Sequence, residues 1–275
     1  MEDKRENLVG WKIFAILIGV SIPLLALQPQ SGDGAEMVKV GAAGGVLHPP
    51  GFPGQVWFMK LFASLFSSAS QLNELQSSTY ALSFFSLICF AFMGFVFERT
   101  LLKFGFSTLV RVTSLFCLAF FPAVWKMATQ PEVFAGAAFA MALLHWCLAK
   151  STQEDKEGIK SSPEDSKLPL WIWAFPVVGA VAYAMHPIST TQYLALAAAF
   201  VFLLHRYGKS SGKDLIAYIS GGVILYLAST FVIYLTLFLS ANPLWPNWGK
   251  IENLLGLYRH AVRAEYGVFD LASQG

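Results

Sequence analysis

Apolar residues form long runs separated by short polar segments along the whole chain. Runs of about 17 to 25 apolar residues have the length of a membrane-spanning helix. The pattern predicts seven such helices, at residues 8–27, 79–97, 107–125, 132–149, 170–186, 190–205 and 215–239. We therefore expect an all-α fold, a polytopic membrane helix bundle in which residues 1–275 form a single module.

The composition supports this prediction. Hydrophobic residues make up 55% of the chain and charged residues 13%, with a mean hydropathy of +0.54, so polar surface is too scarce to solvate a water-soluble globule. The net charge is only +2 and the basic residues are scattered, which argues against a nucleic-acid partner. Cys89, Cys117 and Cys147 lie in apolar runs without metal-type spacing, so we expect neither a disulfide framework nor a cysteine-ligated metal. No residue is assigned as a metal ligand, and whether a divalent metal assists stays open.

The distribution of charge predicts how the chain crosses the membrane. Lys and Arg are concentrated in alternate segments, which places the N-terminus in the cytoplasm. Residues 28–78 then form a first extracytoplasmic loop, 150–168 a cytoplasmic linker and 240–275 an extracytoplasmic segment. The absence of an N-x-Ser/Thr sequence favours a bacterial cytoplasmic membrane over the endoplasmic reticulum.

The first loop is longer than most connections and its sequence is not that of a disordered segment. Pro53 is well placed to begin a helix, and the residues after it repeat at helical spacing. Trp57, Leu61 and Leu65, with Phe58 and Phe62, fall on one side of that helix. The pattern predicts an amphipathic helix lying in the outer membrane interface.

Unusual polar residues cluster on the predicted outer side of the membrane. Asp33, Glu36 and His48 follow the first apolar run directly. A carboxylate near the hydrocarbon boundary can act as a general base or hold a cation, but a lone Asp is also typical of a solvated loop. Three further candidate site residues also have purely structural explanations: Glu132 as a helix cap, His186 as a turn residue and Trp248 as an interfacial aromatic.

Four segments, taken in order, resemble the motifs of the transmembrane protein 260 family. They are "GDGAE", "GGVLHPPGFP", "QPEVFAGAAFAMALL" and "WGKIENLLGLYRHAVRAEYG", and the resemblance extends from about residue 30 to 270. The animal member of this family is a protein O-mannosyltransferase of the multispanning, lipid-donor (GT-C) type. The resemblance thus implies a GT-C-like bundle and a membrane glycosyltransferase activity.

The family's chemistry implies roles for individual residues. The donor would be a sugar linked to polyprenyl or dolichyl phosphate, and the acceptor an extracytoplasmic protein or glycan. Asp33 matches the catalytic carboxylate of the first loop, expected to deprotonate the acceptor hydroxyl, and Glu36 would assist it. The candidate substrate-binding residues are His48, Pro49, Pro50, Gly51, Glu132, His186, Trp248, Arg259, His260, Arg263 and Tyr266.

The chain departs from the family pattern in two places. Gly34 and Ala35 stand where the acidic motif has a serine, and the chain ends at "VFDLASQG" without the further spans of longer relatives. A fragment, a minimal module and one half of a split enzyme, with a partner subunit supplying a C-terminal domain, all remain open. The rival functions are a transporter or lipid flippase and a noncatalytic scaffold. Mid-span positions nearly free of charge favour the transferase.

Overall fold

The computed structural model describes residues 2–28, 32–67, 73–153, 170–206, 212–240, 248 and 251–264. Within these residues the secondary structure is helical, with no strand, which confirms the predicted all-α class. The α-helices are α1 (Glu2–Ser21), α2 (Asp33–Ala43), α3 (Pro53–Ser67), α4 (Glu74–Lys103), α5 (Thr108–Ala119), α6 (Pro122–Thr129), α7 (Phe134–Gln153), α8 (Leu170–Met185), α9 (Ser189–Arg206), α10 (Gly212–Ser240) and α11 (Leu254–Ala261). A short 3-10 helix, Ile22–Leu24, follows α1.

Both α4 and α11 begin at residues whose side chains satisfy free backbone N–H groups. The Asn73 side chain accepts from the backbone N–H of Gln76, whose own side chain accepts from Asn73, a reciprocal cap that starts α4. Asn253 caps α11 in the same way through the N–H of Gly256, at 2.9 Å. Pro53 begins α3, as the sequence predicts.

Helices coincide with the seven apolar runs, but few are long enough to cross a membrane alone. In the described part of the chain, Leu75–Lys103 and Gly212–Phe238 qualify, and a third span exists only if Thr108–Ala119 and Pro122–Thr129 are counted together. The predicted helix 107–125 is broken there by a 67° bend, because Pro122 disfavours helical conformation at the residue before it. The 16-residue α8 extends only about 24 Å, short of the ~30 Å hydrocarbon core. The prediction of seven full spans is therefore met only in part.

The long helix α4 lies at the centre of the molecule and packs most extensively against α7, with α1, α3 and α6 around it. A second core joins α7, α8, α9 and α10 through buried side chains that include Leu144, Phe175 and Phe200. The Phe175 and Phe200 rings stack at 4.4 Å between centroids. These two cores hold the connections α1–α2, α2–α3, α6–α7 and α8–α9 at one end of the bundle.

Large apolar side chains also cover much of the exterior. On α10, Ile216, Ile224 and Val232 are each more than 60% exposed. Exposed apolar patches of this extent on a soluble protein would drive association, whereas a lipid environment would solvate them. On α3 the predicted face is exposed at Trp57, Phe58, Leu61 and Leu65, with Val56 and Met59 buried. Phe62, predicted on the same face, instead packs against Phe85 of α4, 5.6 Å between ring centroids.

A buried ion pair fixes the opposite end of the bundle. The Arg111 Nη1 atom lies 2.9 Å from the Glu98 carboxylate, and both side chains are fully buried. Arg99 contacts the second carboxylate oxygen at 3.3 Å, and Arg111 also donates to the Thr108 hydroxyl at 3.0 Å. The cluster ties the end of α4 to the start of α5.

Candidate active site

The acidic motif forms the first turn of α2. Asp33 and Glu36 both lie in this turn, where carboxylates are favoured by the positive end of the helix dipole. A Cβ added to Gly34 would lie 3.0 Å from the Pro131 carbonyl oxygen, so the turn packs directly against the segment that leads into α7. Asp33 is exposed and Glu36 is partly buried. The two candidate catalytic acids therefore occupy different environments.

Glu36 and His48 form a closed pair. The His48 backbone N–H donates to Glu36 Oε1 at 2.7 Å, and the His48 Nδ1 lies 2.6 Å from Glu36 Oε2. Burial alone would lower the pKa of His48, but the hydrogen bond and negative charge of Glu36, with a smaller effect of Asp33, raise it above its usual value of 6.5. Glu36 therefore orients the imidazole and favours its protonated form.

The segment from His48 to Phe52 makes a tight turn in front of α3. Pro49, Pro50 and Gly51 are buried, and the Gly51 N–H donates to the His48 carbonyl at 2.7 Å. Gly51 has φ +83, and a Cβ added there would lie 2.8 Å from Nε2 of His260. Only glycine satisfies both conditions without displacing its neighbours. Of the "HPPG" residues, His48 thus pairs with Glu36, while Pro49, Pro50 and Gly51 are buried in the turn.

Glu132 lies on the far side of the α2 turn. Its carboxylate accepts from the Val133 N–H at 2.9 Å and from the Phe134 N–H, which caps the start of α7. Burial raises the pKa of the carboxyl group, Asp33 adds to that rise, and the two backbone hydrogen bonds oppose it. The capping contacts support the interpretation of Glu132 as a helix cap, and the negative charge of Asp33 acts on the Glu132 carboxyl group.

His186 is held between aromatic rings. Its centroid lies 5.5 Å from that of Phe52 and 4.4 Å from that of Phe134. Burial and the charge of Arg263 lower the pKa of His186 to about 4, so the ring is neutral near pH 7. Its Nδ1 accepts from the Ile188 N–H at 3.2 Å, which leaves the proton on Nε2. His186 is therefore a neutral donor beside the charged pair.

The C-terminal helix α11 returns to the first loop. The Nε2 of His260 donates to the Leu47 carbonyl at 3.1 Å, and burial lowers the pKa of His260 to about 4. His260 is 2% exposed, and its hydrogen bond to Leu47 ties α11 to the first loop. The Trp248 N–H donates to the Val46 carbonyl at 3.3 Å, which adds a second tether.

The cations of this segment are placed differently from one another. Arg263 follows α11 with φ 58, and its positive charge lowers the pKa of both His48 and His186. Arg259 is exposed on α11, with no described contact to the acids. Tyr266 lies outside the described residues. Trp248 is partly exposed, and its ring lies 6.3 Å from that of His48 in an edge-on arrangement.

Sequence reasoning did not single out three residues that shape this site. Phe52 and Phe134 enclose His186, and Gln55 is buried with its Nε2 donating to the Glu132 carbonyl at 3.0 Å. A polar amide in the otherwise apolar start of α3 is the signal that could have identified Gln55. Among the described residues, no group of three or more His, Cys, Asp and Glu side chains is arranged to hold a metal ion.

The arrangement combines an exposed carboxylate, an imidazole paired with a second carboxylate, and an arginine at one end of an apolar bundle. An exposed carboxylate can accept a proton from a hydroxyl, and an arginine and an imidazole N–H can stabilise a phosphate that leaves. The site thus has the groups required for transfer from a phosphorylated donor to a hydroxyl.

Comparison with known proteins gives three findings. Residues 33–211 match the family model described as the protein O-mannosyl-transferase TMEM260 N-terminal domain. A protein O-mannosyl-transferase tmem260 of Dictyostelium discoideum is 24% identical over 247 residues, which cover 87% of this chain and 28% of that relative. No solved structure matches the chain. Since the family model matches well over half of its length, the chain belongs to the protein O-mannosyl-transferase TMEM260 N-terminal domain family.

Proposed function

We propose that this chain is a membrane glycosyltransferase module that transfers a sugar from polyprenyl or dolichyl phosphate to a hydroxyl group of an extracytoplasmic protein or glycan. The observation that carries the proposal is the Glu36–His48 pair on the α2 turn that also carries Asp33, at one end of an apolar helix bundle. Mannose is the sugar named for the relative from Dictyostelium discoideum, and it is the first sugar to test.

The exposed apolar surfaces support a location in the membrane. Apolar side chains of α1, α5 and α10 face outward, which suits contact with lipid. Trp57 is 65% exposed on α3, where it would lie at the level of the lipid headgroups. In the proposed arrangement the N-terminus is cytoplasmic, the apolar helices form a seven-pass GT-C-like bundle, and a bacterial cytoplasmic membrane is the host.

The proposed reaction is a single displacement at the anomeric carbon. The acceptor oxygen forms a bond to that carbon while the bond from the carbon to the phosphate oxygen breaks, and its electron pair leaves with the lipid phosphate. The acceptor proton passes to the Asp33 carboxylate, which is exposed and so accessible to a hydroxyl. The configuration at the anomeric carbon is inverted.

The cationic groups act on the leaving phosphate. Glu36 holds both the backbone N–H and the Nδ1 of His48, so Nε2 is the ring nitrogen left for a phosphate oxygen, to which it donates when the ring carries its second proton. Arg263 supplies a second positive charge at the same place. His186, neutral and enclosed by Phe52 and Phe134, offers a donor to a sugar hydroxyl.

The partners in this proposal are the lipid-linked donor, the acceptor and membrane lipids. The chain spans 28% of the length of the relative from Dictyostelium discoideum. We propose that acceptor selection depends on a further domain or a partner subunit, because the groups at the present site suit the donor.

The proposal is tested by transfer from a radiolabelled polyprenyl-phosphate mannose to a cell-envelope extract by purified protein in lipid nanodiscs. Asp33→Asn removes the base, and we expect the rate to fall by about 10²- to 10⁴-fold. Glu252→Gln is the matched control, since Glu252 is an exposed acid before α11 with no role in the mechanism. Equal rates for wild type and Asp33→Asn would remove Asp33 from the chemistry. Label crossing the membrane without transfer would favour the lipid flippase.

A further inference from the structure

Residues 131–134, the entry segment of α7, bridge two parts of the candidate active site. The first carbonyl of the segment, that of Pro131, packs against the first turn of α2, which carries Asp33. At the other end of the segment, the Phe134 ring lies 4.4 Å from the His186 ring, centroid to centroid. The position of the entry segment therefore determines how Asp33 and His186 are placed relative to each other.

Gln55, in the first turn of α3, holds the middle of the entry segment. Its Nε2 donates to the Glu132 carbonyl at 3.0 Å, a contact between residues 77 positions apart in the sequence. Gln55 is 1% exposed, and at such burial a hydrogen bond is strong and a carbonyl without a donor is costly. The Gln55 side chain thus fixes the entry segment to α3.

Two glycines leave the room that the Gln55 side chain occupies. On α7, a Cβ added to Gly136 would lie 3.0 Å from Gln55 Oε1 and 2.6 Å from the sulfur atom of Met185. On α3, a Cβ added to Gly54 would lie 3.3 Å from the same sulfur atom. The starts of α3 and α7 therefore meet at the last residue of α8, directly before His186.

The two polar atoms of the Gln55 amide are in different situations. Nε2 is bonded to the Glu132 carbonyl, whereas the buried Oε1 has no hydrogen-bond partner among the described residues. A buried acceptor without a partner destabilises a fold. For stability alone, an apolar side chain of the same length would serve nearly as well, because it would remove the unpaired oxygen together with the hydrogen bond. The amide is therefore better explained by the segment that it positions.

We propose that Gln55 is a positioning residue of the transferase, an inference that rests on the proposed function. Through the Glu132 carbonyl it holds the entry segment so that the turn of Asp33 and the ring of His186 keep the spacing that the reaction requires. Gln55 is too deeply buried to contact donor or acceptor itself. Its loss should therefore lower kcat through misplacement of the reacting groups and leave the KM for the donor unchanged.

The test compares Gln55→Met with wild type in lipid nanodiscs, by the kinetics of transfer from polyprenyl-phosphate mannose and by a ¹³C-histidine NMR titration. Methionine has nearly the length of glutamine but no donor for the Glu132 carbonyl. We expect kcat to fall about tenfold. The pKa of His186 should rise from about 4 toward 6.5, because Phe134 moves away and the burial of the ring decreases. Gln76→Met is the matched control, since Gln76 also bonds a backbone group but at the cap of α4, and it should change neither quantity.

The outcomes separate this inference from the proposed function. A lower unfolding temperature of Gln55→Met with wild-type kcat and His186 titration would mean that Gln55 only stabilises the fold, and a raised KM at unchanged kcat would equally overturn the inference. An altered His186 titration in a protein that transfers no sugar would uphold the positioning of the entry segment and count against the transferase. Should Gln55→Met fail to fold, Gln55→Asn takes its place, because asparagine keeps the amide but is one methylene too short to reach the Glu132 carbonyl. Unchanged kcat and His186 titration in that variant would refute the inference.

Discussion

Gly51→Ala tests whether the contact between the "HPPG" turn and α11 holds the site together. Gly51 has φ +83, and a Cβ there would lie 2.6 Å from Leu237 Cδ1 and 2.8 Å from His260 Nε2. Both atoms must move, and the ring of His260 then loses its hydrogen bond to the buried Leu47 carbonyl. The backbone strain alone costs about 1–3 kcal/mol.

The displaced contacts add to that strain. An unsatisfied buried carbonyl costs about 1–3 kcal/mol, and a Leu237 side chain forced from its rotamer about 0.5–1.5 kcal/mol. Gly44→Ala is the control, since Gly44 has φ +77 with nothing within 4 Å and so incurs the strain alone. The difference between the two variants is therefore about 1.5–4.5 kcal/mol, or roughly 3–18 °C in the unfolding midpoint.

The measurement is thermal unfolding of wild type, Gly51→Ala and Gly44→Ala in the same detergent, followed by tryptophan fluorescence. We expect Gly51→Ala to unfold at a clearly lower temperature than Gly44→Ala. If the two midpoints coincide, the close approach of His260 to Gly51 contributes nothing to stability, and the account of α11 as the support of the first loop is wrong.

Three further predictions concern charged and titrating groups. Because the pKa of His48 is raised above 6.5, its pairing with Glu36 stabilises the fold fully below pH 6.5, and this stabilisation is lost as the pH rises through the raised pKa. Glu36→Gln should abolish that pH dependence of unfolding and lower the pKa of His48 in a ¹³C-histidine NMR titration. In the same titration His186, with a pKa of about 4, should show no transition between pH 6 and 8, and a midpoint near its usual value of 6.5 would contradict its enclosure. Glu98→Gln leaves Arg111 buried without its carboxylate and should lower the free energy of unfolding in urea by about 3–5 kcal/mol. Glu98→Gln combined with Arg111→Met should recover most of this loss, and a lack of recovery would refute the buried ion pair as the cause of the destabilisation.

Local patterns were sufficient to predict most helices, including the start of one helix within the first loop. The start of α3 at Pro53 follows from the fixed φ of proline, and its exposed face follows from the spacing of Trp57, Leu61 and Leu65. The helix predicted at 107–125 failed at Pro122, although the same principle applies there. The apolar residues on both sides of Pro122 concealed the break, since hydrophobicity does not report backbone direction.

The site was predictable as a set of residues but not as a geometry. The spacing of Asp33 and Glu36 allows both to share one helical turn, and the structure places them there. Their separation into an exposed acid and a paired acid depends on His48, 12 residues later. The contact of His260 with Leu47 spans 213 residues, and no local pattern encodes such a distance. The proposed roles of all these residues stay predictions.

The most direct measurement of the central claim is the choice of sugar donor. Purified wild-type protein would be given either radiolabelled polyprenyl-phosphate mannose or a radiolabelled mannose nucleotide, each with the same cell-envelope acceptor. The account predicts label in the acceptor from the lipid-linked donor only, and none with Asp33→Asn. Transfer from the nucleotide at an equal or higher rate, or full activity of Asp33→Asn, would contradict it.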